Sequence, residues 1–372
     1  MILAYYQTMR YISFFLLTLL AIDANTQDVS WTQTAFGNEK RRSASISGGD
    51  LDNDGDMDVV IANGRHWPDQ NEVYLNEGDG TFLTQYWIDS ASTTYAAELG
   101  DLDGDGDLDM VVGNDKALNH LFMNDGAGKF SYAGTFGFKK SNTRNIILSD
   151  INTDGFPDII VVNRFYKNEI CLNNGKGQFN EVIPFGIDGE ATLDIIVYDI
   201  DNDGDNDLIA ANRNDQLNAI YFNEDMRFVK RKEIGSEARD TRSIAIADLN
   251  NDGYMDIISG NIRSKNTIAF GDESLSYQLE KEFTKLKSRT FAIEVGDIDN
   301  DGDMDIVAGN GRGINMCYLN TGDGTAYDAI QISKKKLDTY DIQIVDLNHD
   351  GLLDIVTANS DGLNLLFLQN PD

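Results

Sequence analysis

Apolar residues arrive in short, evenly spaced runs along the chain. Seven of these begin with Asp and end with Asn: "DVVIAN" (58–63), "DMVVGN" (109–114), "DIIVVN" (158–163), "DLIAAN" (207–212), "DIISGN" (256–261), "DIVAGN" (305–310) and "DIVTAN" (354–359). Runs this short, bounded by polar residues and rich in β-branched side chains, predict buried strands. A second run precedes each, as in "TYAAELG" and "TRSIAIA". A third follows after a short loop and usually opens with Asn, as in "NEVYLN", "NHLFMN", "NEICLN" and "NMCYLN". Gly-rich turns such as "EGDGTF" and "NGKGQF" then lead into a fourth. The pattern therefore predicts four antiparallel strands per unit.

The unit repeats in register. Its leading aspartates are Asp50, Asp101, Asp150, Asp199, Asp248, Asp297 and Asp346, separated by 51 residues once and by 49 thereafter. A fixed period in this range marks stacked or radially arranged units. Four-stranded sheets repeated seven times predict an all-β, seven-bladed β-propeller. The last repeat stops at its third strand, "NLLFLQNPD", while "VSWTQTAFG" (29–37) resembles a fourth strand such as "KFSYAGTFG". The N-terminal strand is thus expected to complete the last blade and remove its open edge.

The array accounts for residues 27–372 as one domain. Residues 1–26 read as a signal peptide, because the 12-residue apolar run "YISFFLLTLLAI" follows Arg10 and is too short to span a bilayer. Export to the periplasm or the outside is expected, with no membrane span and a monomeric product. The two cysteines, Cys171 and Cys317, sit in equivalent strands three repeats apart and are expected as buried free thiols.

Each leading aspartate opens a nine-residue loop of the form D-x-[DN]-x-D-G-x-x-D. Oxygen donors stand at positions 1, 3, 5 and 9, and position 7 offers a backbone carbonyl. In the first loop these are Asp50, Asp52, Asp54, Asp56 and Asp58, and in the second Asp101, Asp103, Asp105, Asp107 and Asp109. The third has Asp150, Asn152, Asp154, Phe156 and Asp158; the fourth Asp199, Asp201, Asp203, Asp205 and Asp207. The fifth has Asp248, Asn250, Asp252, Tyr254 and Asp256; the sixth Asp297, Asp299, Asp301, Asp303 and Asp305; the seventh Asp346, Asn348, Asp350, Leu352 and Asp354. Hard oxygen ligands on a tight loop with Gly at position 6 suit Ca²⁺, which turns mutual repulsion into attraction. Up to seven structural calcium ions are expected. An EF-hand would need Glu at position 12, where the first loop has Ile61.

On these loops and their spacing the chain resembles the VCBS/FG-GAP repeat proteins, whose propeller is shared with integrin alpha subunits. The resemblance covers about residues 28–372. It implies that the calcium loops join the first and second strands of each blade, on the face opposite the usual ligand face. It leaves function open, since the fold hosts adhesion modules, lectins and enzymes.

Net charge of −32 argues against nucleic acid as a partner. Against that background, nine of the 14 arginines fall in the loops of the opposite, top face: Arg42, Arg65, Arg144, Arg164, Arg213, Arg242, Arg263, Arg289 and Arg312. Guanidinium groups recognise carboxylate and sulfate in a planar, bidentate way. Local acids such as Asp194, Asp240, Asp338 and Asp341 are alternative partners for some of them. Tyr95, Tyr166, Phe291 and Tyr340 occupy similar positions and suit either sugar rings or plain packing. One top loop departs from the repeat. Between paired asparagines the usual spacing is five, but Asn63 and Asn71 are eight apart, enclosing Arg65, His66 and Trp67. Loops that break a repeat are frequently functional.

These features predict a secreted propeller enzyme acting on acidic, uronate-containing oligosaccharides by β-elimination, as a lyase or dehydratase. Arginine would neutralise the carboxylate, His66 with Arg65 would serve proton transfer, and a tyrosine would assist the departing oxygen. Tyr95, Tyr166 and Tyr340 are all candidates for that role; Tyr166 is grouped with the catalytic residues, and Tyr95 and Tyr340, with Trp67 and the remaining arginines, with the substrate contacts. Some secreted propellers are similar in being uronate lyases or sugar dehydratases. The alternatives are a non-catalytic lectin or adhesion propeller, with equivalent sites between blades, and a glycoside hydrolase, which needs two facing carboxylates.

Overall fold

The structure, a computed structural model, describes residues 29–88, 91–139 and 142–371. The expected signal peptide lies outside the described residues.

The described chain is all β-strand and loop, arranged as antiparallel four-stranded sheets. In the second repeat the order is Thr94–Gly100, Asp109–Asn114, Asn119–Met123, Ser131–Phe136. Repeats three to five form separate sheets of the same plan. The sixth, seventh and first are linked in one ten-stranded sheet, in which Thr290–Gly296 pairs off the main path of nine. In the fifth repeat the two outer strands shrink to three residues each, Thr267–Ala269 and Glu280–Glu282, instead of the six-residue strand read from "NTIAFG". There Gly271 takes the place of the Asn that ends other third strands. A side chain at Gly271 would meet the Met255 backbone at 2.5 Å.

The first strand of each repeat lies innermost. These strands are Thr94–Gly100, Thr143–Ser149, Thr192–Tyr198, Thr241–Ala247, Thr290–Gly296 and Leu337–Val345, with the C-terminal half of Trp31–Gly49 for the first repeat. Each touches the next in chain order, and Leu337–Val345 touches Trp31–Gly49. The "DMVVGN"-type second strands are buried at every residue. Strand geometry explains why: successive side chains point to opposite faces, and each sheet has a neighbouring sheet on both faces. Met110 and Val112 pack with Val60 and Ala62 of the first repeat, while Val111 packs with Ile146 and Ile159 of the third. The core thus lies between sheets, and an unbroken apolar run is its sequence signature. Cys171 and Cys317 are both buried and free.

The N-terminal strand pairs as its sequence suggests. Trp31 to Phe36 lie antiparallel to Gln369 to Asn364, and the same strand then pairs through Ser43–Gly49 with Asp58–Asn63. Asp341 adds a link between the two repeats, its Oδ2 accepting from the Ile46 backbone N–H at 3.1 Å.

One device recurs in all seven inner strands and positions the top of the molecule. A Ser or Thr hydroxyl (Ser43, Thr94, Thr143, Thr192, Thr241, Thr290, Thr339) donates to the first of the paired asparagines at 2.7–3.3 Å. That asparagine's backbone N–H donates to the second asparagine's Oδ1 at 2.8–2.9 Å. Just after the hydroxyl residue the pairing slips by one. The slip is a β-bulge, which re-aims one side chain. The re-aimed residues are Ala44, Tyr95, Arg144, Leu193, Arg242, Phe291 and Tyr340.

Candidate functional site

Seven acidic loops stand at one end of the inner strands. Each is built on two left-handed residues: position 4 (Asn53 at φ 61°, Asn300 at φ 56°) and Gly at position 6 (Gly55 at φ 95°). In six loops position 1 accepts from the backbone N–H groups of positions 5 and 6, as Asp50 does from Asp54 and Gly55 at 3.2 and 3.1 Å; in the second, Asp101 accepts from Gly104 and Gly106. Position 9 is a buried anchor. Asp58 accepts from Leu51 N–H at 2.8 Å and from Asn76 N–H at 2.7 Å, tying the loop to the third strand. Asp109, Asp207, Asp256, Asp305 and Asp354 repeat both bonds. Burial raises the Asp58 carboxyl to about 6 and that of Asp305 to about 7.

The remaining oxygens converge. Asp50, Asp52 and Asp58 bring ligand atoms within 4.8 Å of one another, as do Asp101, Asp103 and Asp109; Asp199, Asp201 and Asp203; and Asp297, Asp299 and Asp305. One buried oxygen each of Asp52, Asp201 and Asp299 has no hydrogen-bond partner among the described residues. Buried carboxylate oxygens without partners are costly, and a hard cation would satisfy them. Loops three, five and seven differ. Their Asn at position 3 donates to the position-5 carboxylate at 2.9–3.1 Å, relieving the crowding within the loop.

At the other end of the inner strands is a cavity of about 230 Å³. Its floor is made by the bulge residues Tyr95, Arg144, Leu193, Arg242, Phe291 and Tyr340, and its walls by Arg65, His66, Arg164, Arg213 and Arg289. Inner strands of seven residues separate it from the acidic loops by about 20 Å at the usual rise per residue. Six of the eleven lining residues are arginine and none is acidic. Carboxylates approach from outside the lining. Asp115 pairs with Arg144 at 2.8 Å, and Asp240 lies 4.0 Å from Arg213. Other guanidinium groups are held by rings: Arg65 lies 3.9 Å above Tyr340, Arg144 4.3 Å above Tyr95 and Arg289 5.2 Å from Phe291. The buried Nε atoms of Arg65, Arg164 and Arg213 have no hydrogen-bond acceptor among the described residues. The cavity is a positive site with unmet donors, suited to a ligand with more than one anionic or strongly accepting group.

His66 stands at the rim on the extended loop, at φ 70°, with its Nδ1 2.8 Å from the Tyr95 hydroxyl. Partial burial, then the charges of Arg65 and Arg144, hold its imidazole below the ordinary value. Burial pushes the Tyr95 phenol up. His66 is therefore a neutral imidazole near pH 7, able to accept a proton.

Several expected members lie elsewhere. Tyr166 is 54% exposed and does not line the cavity, and the tyrosine that meets His66 is Tyr95. Arg42 pairs with Asp361 at 3.2 Å and lies 5.6 Å from the ring of Trp67, itself 65% exposed, outside the rim. Arg263 and Arg312 line a neighbouring groove. Asp194 and Asp341 serve as acceptors for backbone N–H groups of the adjoining inner strands rather than as direct partners of arginine.

Below the cavity floor the axis is a channel of about 590 Å³ lined by Glu98, Asp194, Glu294 and Asp341. Burial raises all four carboxyls, Glu98 to about 8 and Asp341 to about 7. Glu98 and Glu294 were not singled out by sequence, although both interrupt apolar alternation three residues before a leading aspartate.

Radial four-stranded sheets around an axial channel define a β-propeller. Residues 50–112, 101–161, 150–210, 199–259 and 297–357 each match the FG-GAP-like repeat, and the chain belongs to that family. Among solved structures it is similar to the WD40 domain of Toxoplasma gondii coronin, at 9% identity over 92% of this chain and 87% of that one, with a TM-score of 0.58. It is also similar to BBS1N, solved in complex with ARL6DN and soaked with lead, at 10% identity over 91% of this chain and 96% of that one, with a TM-score of 0.63. At these identities the likeness is one of fold. No curated protein matches the sequence. No helix among the described residues is long and apolar enough to cross a membrane.

Proposed function

We propose that the arginine-lined cavity is the active site of a lyase or dehydratase that acts on uronate-containing oligosaccharides by β-elimination. The observation that carries this reading is the His66–Tyr95 contact of 2.8 Å at the wall of a cavity with six arginines and no acid. Arginine binds the uronate carboxylate and stabilises the charge that develops on it as the neighbouring carbon loses its proton. In the productive tautomer His66 Nδ1–H donates to the Tyr95 oxygen. The Nε2 lone pair takes the proton from the carbon beside the carboxylate. The electron pair of that C–H bond becomes the new C=C bond, the β C–O bond breaks, and Tyr95 O–H protonates the departing oxygen. Proton return from Nδ1 to the Tyr95 oxygen restores the phenol and leaves His66 as its Nε2–H tautomer; loss of the Nε2 proton to water and uptake of one at Nδ1 then return the productive form. Turnover gives a conjugated double bond that absorbs in the ultraviolet; its absence on a broad panel of acidic glycans, with binding retained, would leave a lectin in its place.

The same account assigns the acidic loops to Ca²⁺. Position-1, -3, -5 and -9 side chains would hold it, and the cation supplies charge neutralisation for folding. It also takes the molecule as a closed ring of seven blades, supported by the pairing of Trp31–Phe36 with Asn364–Gln369. Export rests on the apolar run at residues 11–22, and is tested by the N-terminal sequence of the mature protein.

A further inference from the structure

Beside the central cavity, a second groove of about 680 Å³ opens between the top loops of the fifth and sixth repeats. Its cationic lining is Arg263, Lys285, Lys287, Arg289, Arg312 and Lys336, and no acidic residue lines it. In a chain with 62 acidic and 30 basic residues, a sixteen-residue lining with six cations and no acid departs from the surrounding surface. Arg263 pairs with Asp240 at 2.7 Å and Arg312 lies 4.0 Å from Asp338, whereas Lys285, Arg289 and Lys336 have no ion pair within 4 Å among the described residues. Arg263 and Arg312 sit at left-handed positions, φ 66° and 56°, where Gly or Asn costs less. The groove also has an apolar side, formed by Leu286, Ile314, Met316 and Tyr318. Leu286 is 79% exposed. Most important, Arg289 lines both the groove and the central cavity, so the two cationic surfaces are continuous.

We infer that this groove is an extended subsite for a polyanionic glycan chain whose end or interior unit enters the central cavity. Cationic heads meet the repeated carboxylates or sulfates, and the apolar residues meet the C–H faces of the sugar rings. The inference rests on the acidic-glycan reading of the cavity and deepens it: the substrate is a chain of several charged units rather than a short fragment. The net charge of −32 works against anions over most of the surface, so a track of cations without acids stands out from it.

Calorimetric titration with an oligogalacturonate disaccharide and decasaccharide, at low salt, tests this directly. The decasaccharide should bind at least about tenfold tighter, the order expected from two or three partly screened charge contacts. The Lys285→Glu/Lys287→Glu variant should lose that preference and keep the disaccharide affinity. An independent pair, Arg312→Ala/Lys336→Ala, should reduce the preference in the same direction, with an unchanged melting temperature as the control for folding. Equal affinity for both lengths, or a preference that survives both pairs, overturns the groove and leaves the cavity reading standing. Binding of neither length overturns the cavity reading and the groove with it. Polyglutamate of matching charge bound as tightly as the decasaccharide overturns the glycan assignment.

Discussion

Phe36 is the residue on which ring closure can be tested with least ambiguity. It ends the six-residue ladder between Trp31 and Phe36 and the last repeat, yet its ring packs into the first. It is 7% exposed, with its ring 5.3 Å from that of Tyr74 and 5.2 Å from that of Phe82. Phe36→Ala removes a buried aromatic side chain and leaves a cavity beside Tyr74, which should cost about 3–5 kcal/mol. That is a large share of the roughly 5–15 kcal/mol that holds a typical domain folded. Urea unfolding followed by tryptophan fluorescence, with calcium held in excess, reads the loss as a lower midpoint at unchanged slope. A stronger perturbation, removal of residues 29–37, should expose the edge that carries Leu366 and Leu368 and drive aggregation seen by light scattering. A loss under about 1 kcal/mol for Phe36→Ala would refute the argument, because a well-packed closing strand cannot lose that ring so cheaply.

Further outcomes are expected. Chelation should lower the melting temperature, and calcium titration should show two classes of site: four tighter all-aspartate loops and three weaker loops with Asn152, Asn250 or Asn348. A single uniform class would contradict the role given to those amides. Glu98, raised to about 8, has a folded value above its unfolded one, so its protonated form contributes stability that is present below about pH 4.5 and lost as pH rises through about 8. Glu98→Gln should therefore stabilise the protein by about 1–2 kcal/mol at pH 8, after allowance for solvent in the channel, and change little at pH 4. The acid limb of kcat/KM should fall below the usual imidazole value of 6.5, because His66 is partly buried beside Arg65 and Arg144. Arg65→Gln should move that limb toward higher pH; a limb unmoved by the change would assign it to another group.

Much of this was legible in the sequence because the fold is periodic. The nine-residue loops, the buried second strands and the pairing of residues 29–37 with the last repeat all follow from local pattern and spacing. Nine of the eleven cavity residues were marked as candidate site groups for the same reason: equivalent positions in successive repeats converge on one axis. What local pattern could not supply was the distance of each group from that axis. Arg164 and Tyr166 are two residues apart, yet one faces the cavity and the other faces solvent, because the loop turns between them. Arg242 and Arg312 carry the same side chain, but only Arg242 is the re-aimed residue of a Thr-anchored bulge. The Thr–Asn–Asn device was visible as paired asparagines and its meaning was not, since it depends on hydrogen bonds across three strands. Glu98 and Glu294 escaped notice because a single acid in an apolar strand carries no motif.

The central claim is chemical, and one measurement addresses it most directly. Purified protein with calcium is mixed with uronate oligosaccharides, and ultraviolet absorbance is followed for the conjugated double bond that β-elimination creates. The account predicts a steady rise for the native protein and a rate roughly 10²–10⁴-fold lower for His66→Ala at unchanged melting temperature. A rise that His66→Ala leaves intact, or no rise with any acidic oligosaccharide that binds, would contradict it.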